Sequence, residues 1–279
     1  MKIKCWGSRG SIPVSGVDYI KYGGDTTCLE ILTKDNQIII VDAGTGIRRL
    51  GNQLIKDGRK SFHFLLTHAH WDHLIGFPFF KPLFQAEHEI HMHQGLFHKG
   101  FMEKIFSKVM APPNFPVQFS DLKANIIYEQ CDSEDFTIGS VTITPIAISH
   151  PNKGNGFKFT EDGKSFIFVP DNELEYIHKG GLAFDEYVKF CLGADLLFHD
   201  AELTPKEYKT RKKWGHSSYT SALDLALKAG VKEFGLFHLN QERIDSEVDA
   251  IILDCHKIIA DQGADLKCYA VGSNMTFEL

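Results

Sequence analysis

Short apolar runs bounded by turn residues recur along the chain and predict β-strands. Residues 37–41 and 62–66 are compact runs of β-branched or apolar residues, and a turn at residues 161–163 separates two later runs. The predicted strands cover residues 2–6, 27–32, 37–41, 62–66, 140–148, 156–159, 165–169, 196–198 and 234–237.

Apolar positions in the last third of the chain follow a helical period instead. A first helix is predicted to begin after Ser217 or Ser218, which can cap it, and to end at Gly230. A second is predicted to begin at Ser246, where Ser-Glu-Val-Asp resembles a capping box, and to end at Gly263. Strands alternate with these helices, so the order of elements predicts a layered α/β protein (α+β in some schemes) with helices outside packed sheets.

Composition and charge narrow the function classes. The chain has 279 residues, 43% of them hydrophobic, and can bury a substantial core as one domain or two. Its net charge of −6 argues against a protein whose main task is to grip nucleic acid. Six scattered cysteines without a CxxC pair, no signal peptide and no long apolar run predict a cytoplasmic protein with no membrane partner.

Three histidines and an aspartate lie within six residues, directly after the predicted strand 62–66. In an extended chain His68 and His70 point to the same side, and Asp72 and His73 can face a second point if a helix begins there. Imidazole and carboxylate groups at this density suit Zn²⁺, Mn²⁺ or Fe²⁺. A solvated strand end is the alternative, but buried polar groups of this kind need partners, and a metal supplies them.

Four ligands do not complete a two-metal site, so more are expected from other strand ends. His150, Asp171 and His238 each follow directly on an apolar strand. Any one of them alone is more often a loop residue than a ligand. Because the same arrangement occurs three times, we predict that all three converge on the His68–His73 cluster.

Residues 77–125 contain several prolines, many phenylalanines and no clean period. We interpret them as a loop-and-helix insertion near the mouth of the site. Within it His91 and His93 alternate, and an exposed strand face explains them better than a second metal site. His63 lies inside an apolar strand and is interpreted as a core or supporting residue.

The chain resembles the metallo-β-lactamase superfamily of metal-dependent hydrolases over essentially its whole length. The resemblance implies a four-layer αβ/βα sandwich and a single domain, residues 1–279, with an insertion near 77–125. It implies one metal on His68, His70 and His150, a second on Asp72, His73 and His238, and Asp171 bridging both. Asp42, in Val-Asp-Ala-Gly, matches the first conserved aspartate of the superfamily and would support the site.

Two further motifs resemble the branch of ribonuclease Z and bacterial cyclic phosphodiesterases. They are His199-Asp-Ala-Glu202 and Gly215-His-Ser-Ser218, and in that branch an acidic residue of the first orients the histidine of the second. The matching pair is Asp200 and His216. Ribonuclease Z carries glutamate at the position of Asp200, so the chain departs from that pattern at this residue. The chain also lacks the glycine- and proline-rich basic arm with which ribonuclease Z holds tRNA.

The resemblance implies a hydrolase that uses two divalent metal ions, with zinc the favoured metal and manganese or iron as alternatives. The favoured function is a phosphodiesterase for a small cyclic or linear phosphodiester, such as a cyclic nucleotide or a phosphoribosyl cyclic phosphate. In this interpretation Asp72 orients the nucleophile and accepts its proton. His216, held by Asp200, then protonates the leaving group.

Other functions stay open. A tRNA 3′-processing endoribonuclease is the first alternative, so nucleic acid is not excluded as a partner. Lactonases and thioesterases share the His-x-His-x-Asp-His motif but have no comparable need for the Asp200–His216 pair. A diiron redox protein would replace His70 with an acid, and a binding module would have lost ligands. A homodimer is common in the superfamily and is possible here.

Overall fold

A computed structural model describes residues 1–93, 100–129 and 135–279. The strands are β1 Lys2–Gly7, β2 Cys28–Leu32, β3 Ile38–Val41, β4 Ser61–Leu65, β5 Glu89–His93, β6 Asn125–Glu129, β7 Phe136–Ile138, β8 Val141–Ala147, β9 Asn155–Glu161, β10 Lys164–Val169, β11 Leu196–Asp200, β12 Glu233–Phe237, β13 Lys267–Ala270 and β14 Thr276–Glu278. The helices are α1 Gly46–Lys56, α2 Phe101–Val109, α3 Phe184–Cys191, α4 Pro205–Arg211, α5 Tyr219–Ala229 and α6 Asp245–Asp261.

The strands form two sheets of seven. The first has the order β14-β1-β2-β3-β4-β5-β6 and the second the order β13-β12-β11-β10-β9-β8-β7. Strands β3 to β6 run parallel to one another, as do β10 to β13. The carboxyl ends of each parallel group therefore meet at one edge of its sheet, and the loops that follow these strands lie together.

Three hydrophobic layers hold the sheets and helices together. Strand β3 shows the principle, since Ile39 and Val41 belong to the core between the sheets while Ile38 and Ile40 pack on the other side against α1. Because side chains alternate along a strand, a strand covered on both faces is apolar throughout. Helices α3, α5 and α6 cover the outer face of the second sheet in the same way. The predicted αβ/βα sandwich is confirmed.

Helix α5 begins and ends where the sequence predicts. The Ser218 hydroxyl accepts a hydrogen bond from the Ser221 amide at 3.2 Å, and Gly230 ends the helix in the left-handed conformation. Helix α6 begins earlier than predicted, at Asp245 rather than Ser246. Ile244, which precedes the helix, has no side chain that can cap it. Instead, the Glu247 carboxylate in the first turn accepts a hydrogen bond from the Ile244 amide at 3.1 Å.

The segment 77–125 contains the turns and the helix that the prediction of an insertion implies, but it also contains a strand of the first sheet. It contains 3-10 turns at Phe77–Phe79, Lys81–Phe84 and Phe119–Asp121 as well as α2, and residues 94–99 lie outside the described structure. Strand β5, however, is an inner strand of the first sheet, between β4 and β6. On this strand the His93 ring stacks on Phe136 and lies against His63, so His93 is only 8% exposed, and the expectation of an exposed strand face is wrong for it.

Five of the six cysteines are free and buried: Cys5, Cys28, Cys191, Cys255 and Cys268. Cys131 lies outside the described residues. Within the described ranges, no helix combines the length and apolar character that crossing a membrane requires.

The core between the sheets should dominate stability. Phe166 is fully buried there and contacts the rings of Phe198 at 5.0 Å and Phe159 at 5.7 Å. We expect Phe166→Ala to lower the free energy of unfolding by about 3–5 kcal/mol, because the cavity between two sheets cannot collapse. Leu253 on α6 is 69% exposed, and Leu253→Ala should change the free energy of unfolding by less than about 0.5 kcal/mol. Urea unfolding of both variants measures the difference, and equal effects would contradict this assignment of the core.

Candidate metal centre

The seven side chains that the sequence predicts as metal ligands lie in two adjoining groups. In each group the potential ligand atoms all lie within 4.8 Å of one another. The first group is His68, His70, His150 and Asp171, and the second is Asp72, His73, Asp171 and His238. Asp171 belongs to both groups, which is the arrangement that the resemblance implies.

Each of these side chains follows the carboxyl end of a strand. The segment from His68 to His73 follows β4, and a 3-10 turn at Trp71–His73 directs Asp72 and His73 toward the second group. His150 follows β8, Asp171 follows β10 and His238 follows β12. These strands belong to both sheets, so the site lies where the edges of the two sheets meet.

In the first group three imidazoles face one carboxylate. Asp171 Oδ2 lies 3.4 Å from His68 Nε2 and 3.8 Å from His150 Nε2. His150 Nε2 also lies 2.9 Å from His70 Nδ1. Burial lowers the pKa of His70 to about 4 and that of His150 to about 2, so both rings are neutral, as a metal ligand must be.

In the second group two carboxylates face two imidazoles. His73 Nε2 lies 3.2 Å from Asp171 Oδ1 and 3.4 Å from Asp72 Oδ2. His238 Nε2 lies 3.0 Å from Asp72 Oδ2 and 3.3 Å from Asp171 Oδ2. Burial opposes charge on both rings, but the carboxylates outweigh it and hold the pKa of His73 and His238 well above the ordinary value. This side of the site therefore favours positive charge.

Hydrogen bonds on the far side of the rings fix their orientation. Asp42 accepts from His73 Nδ1 at 2.7 Å and from the Thr67 amide at 2.8 Å, so Nε2 of His73 faces the site. His150 Nδ1 donates to the Gly215 carbonyl at 2.8 Å. Histidines that bind metals are usually held in this way by a carboxylate or a carbonyl.

The donor atoms fit divalent cations. Among the described residues, His68 Nε2, His73 Nε2 and Asp171 Oδ1 are buried and have no hydrogen-bond partner. A buried polar atom without a partner costs free energy, and cations held by the two groups would satisfy these three atoms. Imidazole nitrogen and carboxylate oxygen suit Zn²⁺, Mn²⁺ or Fe²⁺.

Two glycines allow the backbone to approach the rings. A Cβ at Gly10 would lie 2.2 Å from the His238 ring, and a Cβ at Gly215 would lie 2.2 Å from His150 Nδ1. Gly215 also has a φ of +96°, which disfavours any side chain. The backbone thus fills the space that side chains would otherwise occupy behind two of the rings.

Asp200 and His216 meet beside the second group. His216 Nδ1 donates to Asp200 Oδ2 at 2.9 Å, and its ring stacks on the His238 ring at 4.8 Å between centroids. Although burial opposes it, the carboxylates of Glu202 and Asp200 raise the pKa of His216 to about 9. The imidazole is therefore protonated at neutral pH and can act as an acid.

Glu202 is a site residue that the sequence analysis did not select. It is buried, and its Oε2 lies 3.1 Å from His238 Nδ1 and 3.3 Å from His216 Nδ1. Asn240 donates to its other oxygen at 2.8 Å. One oxygen of Glu202 thus lies next to the Nδ1 atoms of both histidines. Its position two residues after Asp200 is the sequence signal that could have identified it.

Glu173 is a second residue that was not selected. Its buried carboxylate accepts hydrogen bonds from the Gly215 amide at 2.9 Å and the Lys213 amide at 2.7 Å. It also accepts from Tyr208 Oη and His178 Nε2, each at 2.8 Å. Glu173 therefore anchors the loop that carries His216 and that presents the Gly215 carbonyl to His150.

The remaining clustered histidines form a separate group. His63 Nδ1 lies 2.9 Å from His93 Nε2, and His91 Nδ1 lies 2.9 Å from Glu129 Oε1. These residues lie on β4, β5 and β6 and belong to none of the three groups of potential metal ligands found among the described residues, the third of which is Asp200, His216 and His238.

Residues 37–239 match the family described as "Beta-lactamase superfamily domain". The match covers more than half of the chain and includes all seven predicted ligands. The chain belongs to the β-lactamase superfamily.

Relatives of known name are distant but align over most of their length. The chain is 20% identical to a ribonuclease Z of Haloarcula marismortui, over 95% of this chain and 96% of the relative. It is 23% identical to a ribonuclease Z of Bacteroides fragilis, over 78% of this chain and 84% of the relative.

Solved structures show the same fold. The metallo-beta-lactamase fold protein YhfI from Bacillus subtilis superposes with a TM-score of 0.72 at 18% identity and covers 100% of this chain and 99% of its own. A diphosphatase from the PhnP family superposes with a TM-score of 0.68 at 15% identity, over 100% of this chain and 97% of its own. The short form of human tRNase Z superposes with a TM-score of 0.65 at 18% identity, over 100% of this chain and 99% of its own.

The hydrogen bond from His73 to Asp42 provides a test of the metal centre. We expect Asp42→Asn to weaken binding of Zn²⁺ about 10- to 100-fold, because asparagine has no negative charge and only one acceptor oxygen, which cannot serve both the Thr67 amide and His73 Nδ1. Competition with a chromophoric chelator measures the affinity. Asp57→Asn, at the exposed end of α1, is the matched control and should leave the affinity unchanged. Equal affinities for the two variants would remove the supporting role of Asp42.

Proposed function

We propose that this chain is a metal-dependent phosphodiesterase that holds two divalent ions and acts on a small cyclic or linear phosphodiester. The observation that carries the proposal is a pair of ligand groups sharing Asp171, with the protonated imidazole of His216 directly beside one of them. Two adjoining cation sites suit a phosphoryl group, and an acid next to them suits its leaving oxygen.

The comparisons support phosphodiester chemistry. The aligned relatives are named ribonuclease Z, and the structural neighbours include a diphosphatase and a tRNase Z. Zinc is our proposed metal, and a zinc-bound protein of the same fold, PqqB from Methylobacterium extorquens, is among the neighbours at a TM-score of 0.68.

His68, His70 and His150 would hold one ion, Asp72, His73 and His238 the other, and Asp171 both. When bound, the ions supply positive charge for the phosphoryl oxygens and make a nearby water more acidic. The buried carboxylate of Asp72 is fixed by the Ser11 amide at 2.8 Å and orients the attacking water. As the new bond from oxygen to phosphorus forms, Asp72 accepts the proton of that water.

His216 completes the reaction at the leaving oxygen. Asp200 and Glu202 both approach Nδ1, so the proton on Nε2 is the one available for transfer. As the bond from phosphorus to the leaving oxygen breaks, His216 gives that proton to the departing alkoxide. The two carboxylates hold the ring in place and keep it charged before transfer.

A tRNA 3′-processing endoribonuclease is the second candidate because the aligned relatives carry the name ribonuclease Z. The net charge of −6 favours the small substrate instead. Lactonases and thioesterases are disfavoured by the buried cluster of Asp200, Glu202 and His216, which those reactions do not need. A cytoplasmic location and a homodimer are part of the proposal.

Loss of a ligand should abolish activity. We expect His68→Ala and Asp72→Ala to reduce hydrolysis of bis(p-nitrophenyl) phosphate by at least about a thousandfold, because each removes a side chain that would hold one of the two ions. The metal content of each variant is measured alongside the rate. The exposed His256→Ala on α6 is the control and should keep full activity. Unchanged turnover in His68→Ala would exclude the proposed centre.

The role of His216 is tested by the leaving group. We expect His216→Ala to slow a diester with an alkyl leaving group about 100- to 10,000-fold and one with a p-nitrophenyl leaving group far less, since p-nitrophenolate needs no proton. Rates for both substrates give the ratio directly. Equal losses on the two substrates would contradict the acid role. A panel that adds a pre-tRNA separates the candidates, because its correct cleavage would favour the endoribonuclease.

A further inference from the structure

A cavity of about 220 Å³ adjoins the segment that carries the candidate ligands. Ala69 and Trp71, which alternate with His68, His70 and Asp72 along the chain, form one of its walls. Ile105, Lys108 and Val109 of α2 lie opposite. No part of the mechanism above uses this cavity.

Trp71 gives the cavity its character. The indole lies between His70 and Asp72 in the sequence, yet it is 61% exposed. The other walls are mainly apolar, with Leu74 buried beneath and Ile105 and Val109 facing from α2. A large flat ring left open on the segment that carries the candidate ligands offers a surface on which another flat ring can stack.

Size and polarity restrict the occupant. The volume of about 220 Å³ is below the roughly 300–1,000 Å³ of pockets that enclose drug-sized ligands, so it suits one ring system. Two polar side chains, Lys108 and Asn114, are exposed at the otherwise apolar walls. Both can donate hydrogen bonds to ring nitrogens or carbonyl oxygens, which are the acceptors that a nucleobase carries.

We infer that this cavity binds the base of a nucleotide phosphodiester whose phosphate lies at the metal centre. The inference rests on the proposed function and narrows its substrate class. A cyclic or linear nucleotide can fill the cavity, whereas a phosphoribosyl cyclic phosphate has no flat ring to place against Trp71. The binding energy of the base then positions the phosphate for hydrolysis.

Two substrates with one leaving group test the inference. Thymidine 5′-(p-nitrophenyl) phosphate and methyl p-nitrophenyl phosphate both release p-nitrophenolate, and only the first carries a base. We expect Trp71→Ala to lower kcat/KM for the thymidine ester by about tenfold or more, the size of a lost stack of a base on an aromatic ring. The methyl ester should change by less than about twofold. Trp71→Phe should keep most of the activity on both.

Binding provides a readout that does not depend on turnover. In calorimetry the wild-type protein should bind adenosine 5′-monophosphate more tightly than ribose 5-phosphate, and Trp71→Ala should remove this difference. Lys108→Met should weaken only the adenosine ligand. The exposed Leu253→Ala, on α6, is the control for both assays and should behave as wild type.

The outcomes separate the two proposals. Equal losses of Trp71→Ala on both esters, together with equal binding of the two monophosphates by the wild type, would overturn the cavity as a base site. If the wild type hydrolyses neither ester, the proposed function fails, and the binding comparison still decides what the cavity holds.

Discussion

The fully buried carboxylate of Asp171 is the constraint around which the site is arranged. Four imidazoles, of His68, His73, His150 and His238, lie within 3.2–3.8 Å of its oxygens. A buried anion is costly unless positive charge and hydrogen-bond donors compensate it. The segments that follow β4, β8 and β12 each contribute an imidazole beside this carboxylate. The layered fold brings these groups together because β4, β8, β10 and β12 all end there.

Much of this arrangement could be predicted from the sequence, since the ligands are residues of unusual type directly after apolar strands. His150, Asp171 and His238 were identified from that pattern, and the structure places them beside His68 to His73. Glu173 and Glu202 could not be predicted as site residues from this pattern, because a glutamate in a loop is usually solvated. Their roles depend on three-dimensional packing, which buries them behind Gly215 and His238.

Errors in the predicted elements have related physical causes. Strand β5 carries polar residues at alternate positions, which is typical of a half-exposed strand, yet it lies inside the sheet. Of its two histidines, His93 is paired with His63 of β4 and His91 with Glu129 of β6. At the start of α6, the Asp245 carboxylate accepts a hydrogen bond from the Lys21 amide at 2.7 Å, and the helix begins one residue earlier than predicted. In both places a contact distant in sequence outweighed the local pattern.

The N-terminal loop has a consequence for the order in which the site forms. The Ser11 amide reaches Asp72, and the Gly10 amide donates to the carbonyl of Leu239 at 3.0 Å, directly after His238. The second ligand group thus joins segments separated by more than two hundred residues. Contacts of such long range form late because the entropy of closing a large loop must be overcome first. The second ligand group therefore cannot assemble during synthesis until the chain has been made past His238, so a cation could bind there only after that point.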